Sequence, residues 1–149
     1  MSAAPELIRA SLDHLEQLVP LFDGYRQFYK QPSDPEQCRR FLRERLDNDE
    51  SVIFLALLDG QPAGLTQLYP SFSSVSLRRL WILNDLFVAP AARGRGVGAA
   101  LLTRARDWAE ETRAKGLVLE TAIDNPAQHL YESMGWRRDE GALHYALDL

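Results

Sequence analysis

The sequence predicts a mixed α/β fold, one sheet with helices on both of its faces, and three observations carry that expectation. Apolar runs of four to nine residues alternate with longer stretches whose apolar residues recur every three or four positions, in the order strand, two helices, strands, helix, strand, helix, strand. Asp59-Gly60 separates two apolar runs and is a hairpin signal, so part of the sheet is antiparallel. A chain of 149 residues forms one substantial core, and residues 1–149 read as a single domain without repeats or linkers.

The elements follow from local chemistry. Leu7-Ile8-Arg9-Ala10 reads as a short first strand. Asp13, with Glu16 three positions on, matches a capping box opening a helix that buries Leu15, Leu18, Val19, Phe22 and Tyr25. Pro20 falls inside it, so a kink or break is expected. Ser33-Asp34-Pro35 opens a second helix, with Pro35 in the first position and an apolar stripe of Cys38, Phe41, Leu42 and Leu46. Cys38 on that stripe reads as a buried structural thiol. Ser51–Leu58 and Gln61–Tyr69 are the hairpin strands, Pro70–Arg79 a polar loop holding Phe72, and Leu80–Val88 a strand buried on both faces except at Asn84 and Asp85. A helix with Val97, Ala100, Leu101, Ala105 and Trp108 on one face follows. Leu117–Thr121 is a further strand, Pro126–Met134 a short helix stopped by Gly135, and Ala142–Leu147 the closing strand.

Composition excludes several functions. The net charge is −4 with both signs interspersed, so no basic face advertises nucleic acid, while a mildly acidic body suits cationic substrates. Cys38 is the only cysteine, which excludes an internal disulfide and a cysteine zinc site. His14, His129 and His144 share no metal-ligand spacing, and no metal is expected. Residues Met1 to Glu6 lack the pattern of a signal peptide, and no apolar run approaches the ~18 residues of a membrane span. A cytoplasmic protein is the expectation.

The most informative stretch runs from Asn84 to Leu102, where an apolar strand leads through Pro90 into Arg93-Gly94-Arg95-Gly96-Val97-Gly98 and then a helix. Glycines let backbone N–H groups approach a ligand closely, and a helix start adds unpaired amides and a positive dipole end, which together make a pyrophosphate seat. A P-loop needs a lysine and a Ser/Thr after its last glycine, where Ala99 and Ala100 stand. A dinucleotide fingerprint fits Gly94-x-Gly96-x-x-Ala99 with Glu120 downstream. Against it, residues 89–93 separate strand from glycine, and too little chain follows for a six-stranded parallel sheet.

Read instead as Val88-x-Pro90-x-x-Arg93-Gly94-x-Gly96-Val97-Gly98, the loop resembles the acetyl-CoA motif of the GNAT superfamily of N-acetyltransferases. Leu130-Tyr131-Glu132-Ser133-Met134-Gly135-Trp136 resembles the same family's second motif. The similarity covers residues 81–136 closely, and Leu83 to Val88 with Asp124-Asn125 and Ala127-Gln128 is similar to the histone and polyamine acetyltransferase-like branch. It implies a GNAT-type mixed sheet of six to seven strands, acetyl-CoA as cofactor, and attack by a primary amine in a ternary complex. A homodimer is also implied. A non-catalytic acyl-CoA-binding or regulatory module of the same fold is the alternative from a different class.

The resemblance also assigns residues. Amides of Gly94, Arg95, Gly96, Val97, Gly98 and Ala99 would hold the pyrophosphate, with Arg93 either beside it or paired to a carboxylate of the fold. Main-chain groups around Leu86, Phe87 and Val88 would pair with the pantetheine arm where the central strands splay, and one N–H there would polarise the thioester carbonyl. The family places an asparagine seven residues before its tyrosine; Asp124 stands there and Asn125 follows, so either contacts the cofactor. Tyr131 would be the general acid. Freeing a lysine-like amine of pKa ~10.4 near pH 7.4 costs about 4 kcal/mol. Relatives use a glutamate where Asn84 stands; strand alternation turns the adjacent Asp85 to the opposite face, which leaves Asp85, a water chain or selection of the neutral amine as routes. Tyr25, Phe28, Tyr29 and Asn84 are the candidates for the acceptor, with Tyr69, Phe72 and Trp81 as further aromatics. Polyamines, amino acids, aminoglycoside-like drugs and protein amino groups remain open, and a small amine is favoured because no peptide-binding insertion is visible.

Overall fold

The hairpin at Asp59-Gly60 organises the sheet: both residues take positive φ (50° and 78°), as a two-residue turn matching strand twist requires. The computed structural model describes residues 4–149; residues 1–3, part of the stretch read as lacking a signal peptide, lie outside the described residues. β1 (Glu6–Arg9), β2 (Val52–Leu58), β3 (Gln61–Ser73), β4 (Arg78–Val88) and β5 (Leu117–Val118) form one sheet in that order. The first three pairings are antiparallel and β4–β5 is parallel. β2 is buried along its whole length because both faces are covered. Phe54 joins Leu68, Trp81, Leu83 and Leu101 in one core, while Ile53 and Leu55 join Leu18, Phe22, Cys38 and Leu42 in the other.

α1 (Leu15–Phe28) and α2 (Pro35–Asp47) cover the second of these cores; α3 (Val97–Glu111) and the short α4 (Gln128–Ser133) cover the first. α1 runs through Pro20 without a break, because Pro20 and Glu16 are exposed and water can serve the carbonyl left without a donor. The expected Asp13–Glu16 capping box does not form. Ser11 caps instead: its Oγ accepts from the Asp13 N–H (3.2 Å) and its own N–H donates to His14 Nδ1 (3.0 Å), closing a 3-10 turn ahead of α1. At α2 the Asp34 carboxylate accepts from the Gln37 N–H at 3.1 Å, with Pro35 in the first position as expected. Asp34→Ala should lower stability by about 1 kcal/mol in urea unfolding; an unchanged midpoint would remove this cap from the account.

Two differences from the sequence reading concern pairing. Residues 70–79, expected as a loop, mostly extend the hairpin of β3 and β4, with Phe72 opposite Arg79 and Ser73 opposite Arg78. Pro70 is tolerated because β2 pairs only as far as Leu68, so β3 is an edge beyond it. At the other side, β5 is two residues long where five were expected, and residues 142–147 form no strand. The sheet therefore has five strands among the described residues rather than six to seven. A strand needs a ladder to join, and so short a β5 offers almost none; Leu143, Tyr145 and Leu147 stay exposed.

Candidate functional site

A β-bulge shapes the site. Gln67 on β3 faces Asp85 while Leu68 faces Leu83, so Asn84 is an extra residue on β4. The insertion resets the alternation: Trp81 and Leu83 point into the α3 core, and so do Leu86 and Val88, while Phe87 packs on the α1–α2 side. This corrects the expectation for Asp85, which is neither exposed nor turned away from Asn84. Both line one cavity, and Asp85 is 1% exposed. Its carboxylate accepts from Gln67 Nε2 at 2.6 Å and Asn84 Nδ2 at 2.7 Å. Burial nonetheless outweighs these bonds and raises its pKa above the ordinary carboxylate range.

The cavity lies between α1, α2 and the bulge and encloses about 360 Å³. Its walls are aromatic. Phe22 stacks on Phe41 (centroids 5.7 Å apart) and on Tyr25 (6.2 Å); Tyr29, expected at the acceptor, packs on Tyr25 at 5.1 Å from outside the lining and is exposed. Tyr25 Oη donates to the Asn84 carbonyl at 3.1 Å. Burial and the nearby Asp85 raise the pKa of Tyr25, and they push Tyr69 on the facing wall up to about 12. Tyr25, Asn84 and Asp85 thus line one cavity, although strand alternation had turned Asp85 away from Asn84. Phe28 lines a separate groove beside Phe87, and Phe72 lies exposed near the hairpin tip against Arg79. Arg26 and Gln37 also line the cavity and were missed. The available signal was helical spacing, since Arg26 follows Phe22 by four residues.

Beside the cavity, β4 loses its parallel neighbour. β5 meets it only at Trp81–Leu117 and Ile82–Val118, so no strand pairs with that side of Leu83 to Val88 among the described residues. An extended ligand arm could pair there with main-chain groups near Leu86 and Val88. Tyr131, on α4, is 9% exposed and packs against Trp136 (6.0 Å between centroids). Burial, with a contribution from the Tyr29 phenol, pushes its hydroxyl up to about 12.

At the end of β4 the chain turns at Gly94 (φ +75°) and Gly96 (φ +81°), conformations that favour glycine, and nothing lies within 4 Å of where either Cβ would be. The first bond of α3 runs from the Ala100 N–H to the Gly96 carbonyl (3.0 Å), and the amides from Gly94 to Ala99 have no acceptor among the described residues. Gly98 serves packing: a Cβ there would lie 3.0 Å from Leu130, so its absence lets α4 approach α3. Six unpaired donors at a helix start, with Gly94, Arg95 and Gly96 exposed and Val97 buried, fit a diphosphate. Arg93 donates to the Val88 carbonyl (3.2 Å) and Arg95 lies 3.7 Å from Asp59. Asn125 Oδ1 accepts from the Ala127 N–H (2.9 Å) in the turn ahead of α4, while the adjacent Asp124 is exposed.

A sequence profile of the acetyltransferase (GNAT) family matches residues 15–136, spanning both the glycine turn and Tyr131. The chain belongs to this family. An "uncharacterized N-acetyltransferase" of Bacillus subtilis (strain 168) is 50% identical over 133 residues, covering 89% of each chain. A solved structure described as a "probable acetyltransferase" superposes with a TM-score of 0.91 at 48% identity, covering 97% of each chain. A thialysine N-epsilon-acetyltransferase of Caenorhabditis elegans is 26% identical over 149 residues, covering 96% of this chain and 81% of its own. The protein is an N-acetyltransferase, and acetyl-CoA is its cofactor. No helix of this acetyltransferase is long and apolar enough to cross a membrane among the described residues.

Proposed function

We propose that this acetyltransferase acetylates the primary amine of a small molecule held in the cavity over Asp85, by direct attack in a ternary complex. The observation that carries the reading is a buried carboxylate in an aromatic-walled cavity beside the unpaired edge of β4. Bound acetyl-CoA supplies the activated acyl thioester. The amides of Gly94 to Ala99 grip its diphosphate, and the β4 edge near Leu86 and Val88 aligns its arm. Tyr25, Phe22 and Phe41 attract a cationic amine through their ring faces. Asp85 Oδ accepts the proton the amine sheds; its raised pKa narrows the gap to an ammonium. Tyr131 Oη, still protonated at working pH, hydrogen-bonds the departing sulfur and passes it a proton. The volume of about 360 Å³ suits a small acceptor better than a protein segment.

The test is thiol release from acetyl-CoA across a panel of small amines and lysine-bearing peptides. Small-amine turnover supports the reading; acetylation of peptides alone overturns it. Asp85→Asn should lower kcat/KM about tenfold or more at neutral pH, a smaller loss than for an obligatory group because solvent can deprotonate the amine before binding. The same variant should be more stable at neutral pH. The folded pKa of Asp85 lies above its unfolded value of ~3.9, so the native state binds the proton more tightly and wild-type stability falls as pH rises through that window. The variant escapes this loss, and Gln67, whose Oε1 has no partner, can turn its amide to accept from Asn. Melting temperatures that differ at pH 7 and converge below pH ~4 would confirm the sign. A variant melting lower at pH 7 would refute it.

A further inference from the structure

The cavity carries charge of both signs. Asp85 lies at its buried end, while Arg26 and Gln37 line the same space from α1 and α2. The Arg26 guanidinium is half-buried, lies beside the Cys38 thiol, and has no carboxylate in ion-pair contact among the described residues. The nearest acid on its own helix, Asp23, is already engaged. It accepts from Ser33 Oγ (2.7 Å), the Asp34 N–H (2.8 Å) and Gln27 Nε2 (3.0 Å). Arg45, the other cation near Tyr69, is paired with Glu44 and Glu50. Arg26, whose charge also acts on Asp23 and the Cys38 thiol, therefore offers the cavity N–H donors that no ion pair holds, with the Gln37 amide as a further donor.

We infer that the acceptor is a zwitterion of amino-acid size, its carboxylate held by Arg26 and Gln37 and its reacting amine directed along the aromatic wall to Asp85. This rests on the proposed acetyl transfer and adds the class of substrate. A guanidinium pairs with a carboxylate through two parallel N–H···O bonds, a geometry that fixes orientation as well as adding affinity. A diamine of the same length would bring its second ammonium against Arg26, so one residue both selects the carboxylate and rejects its decarboxylated analogue. Phe22, Tyr25, Phe41 and Tyr69 between the two ends would cover the apolar methylenes.

Matched substrates read this directly: lysine against cadaverine, ornithine against putrescine, and lysine methyl ester, each at saturating acetyl-CoA. The expected result is a kcat/KM at least about tenfold higher for each amino acid than for its diamine, with the ester behaving as the diamine does. Arg26→Lys should keep part of the preference, and Arg26→Glu should invert it. A variant that merely unfolds would lose both substrates together and leave the ratio unchanged, so the ratio separates recognition from stability. Equal use of lysine and cadaverine by the wild type, or an unaltered ratio in an Arg26→Glu variant that keeps the wild-type melting temperature, overturns the inference alone. Absence of acetylation of every amine overturns it together with the proposed function.

Discussion

Tyr131→Phe lowers kcat for acetyl transfer by about 10²- to 10⁴-fold while acetyl-CoA affinity stays nearly unchanged. The substitution removes one oxygen. It keeps the ring that packs on Trp136 and closes the core beneath α4, so the fold has no reason to yield. What disappears is the hydroxyl proposed as proton donor to the leaving thiolate. Thiol-release kinetics and calorimetric titration with acetyl-CoA separate the two effects. With the hydroxyl pushed up to about 12, the wild type should also show no basic limb from this residue below pH ~10. A variant that turns over at the wild-type rate would exclude Tyr131 from proton transfer.

Gly96→Val should weaken acetyl-CoA binding by about 10²-fold, because the proposed charge-assisted hydrogen bonds to the diphosphate, about 1.5–3 kcal/mol each, depend on one turn. Gly96 sits at φ +81° and immediately precedes α3. A β-branched residue is strained there, and relaxing the strain rotates the adjacent amides away from their common focus. Gly60→Val is the matched control. Its φ is +78° and nothing lies within 4 Å of its Cβ position, yet it belongs to the β2–β3 hairpin. Both variants should lose stability, and only Gly96→Val should lose affinity. Equal affinities in the two would show that these amides do not hold the diphosphate.

The glycine turn was legible because everything it needs is contiguous in the chain: residues allowing positive φ, then a helix start. The Asp34 cap and the Asp59-Gly60 hairpin were legible for the same reason. Asp85 was not. Its direction depends on a one-residue bulge set by pairing with Gln67, some 18 residues away, and strand alternation read along β4 alone points it the wrong way. Residues 70–79 are polar enough for a loop, and only the ladder opposite them makes them strand.

By itself, the amino-acid order determined the features proposed for the donor side: bare amides after Arg93, a helix behind them, and a tyrosine on a short helix further on. Those features act over a few residues, where covalent connection and backbone sterics suffice. The acceptor side was decided in three dimensions. Arg26, Tyr69 and Asp85 share a cavity only because α1, β3 and β4 pack together. The electrostatic character of that cavity follows from the burial of Asp85, which no local spacing encodes.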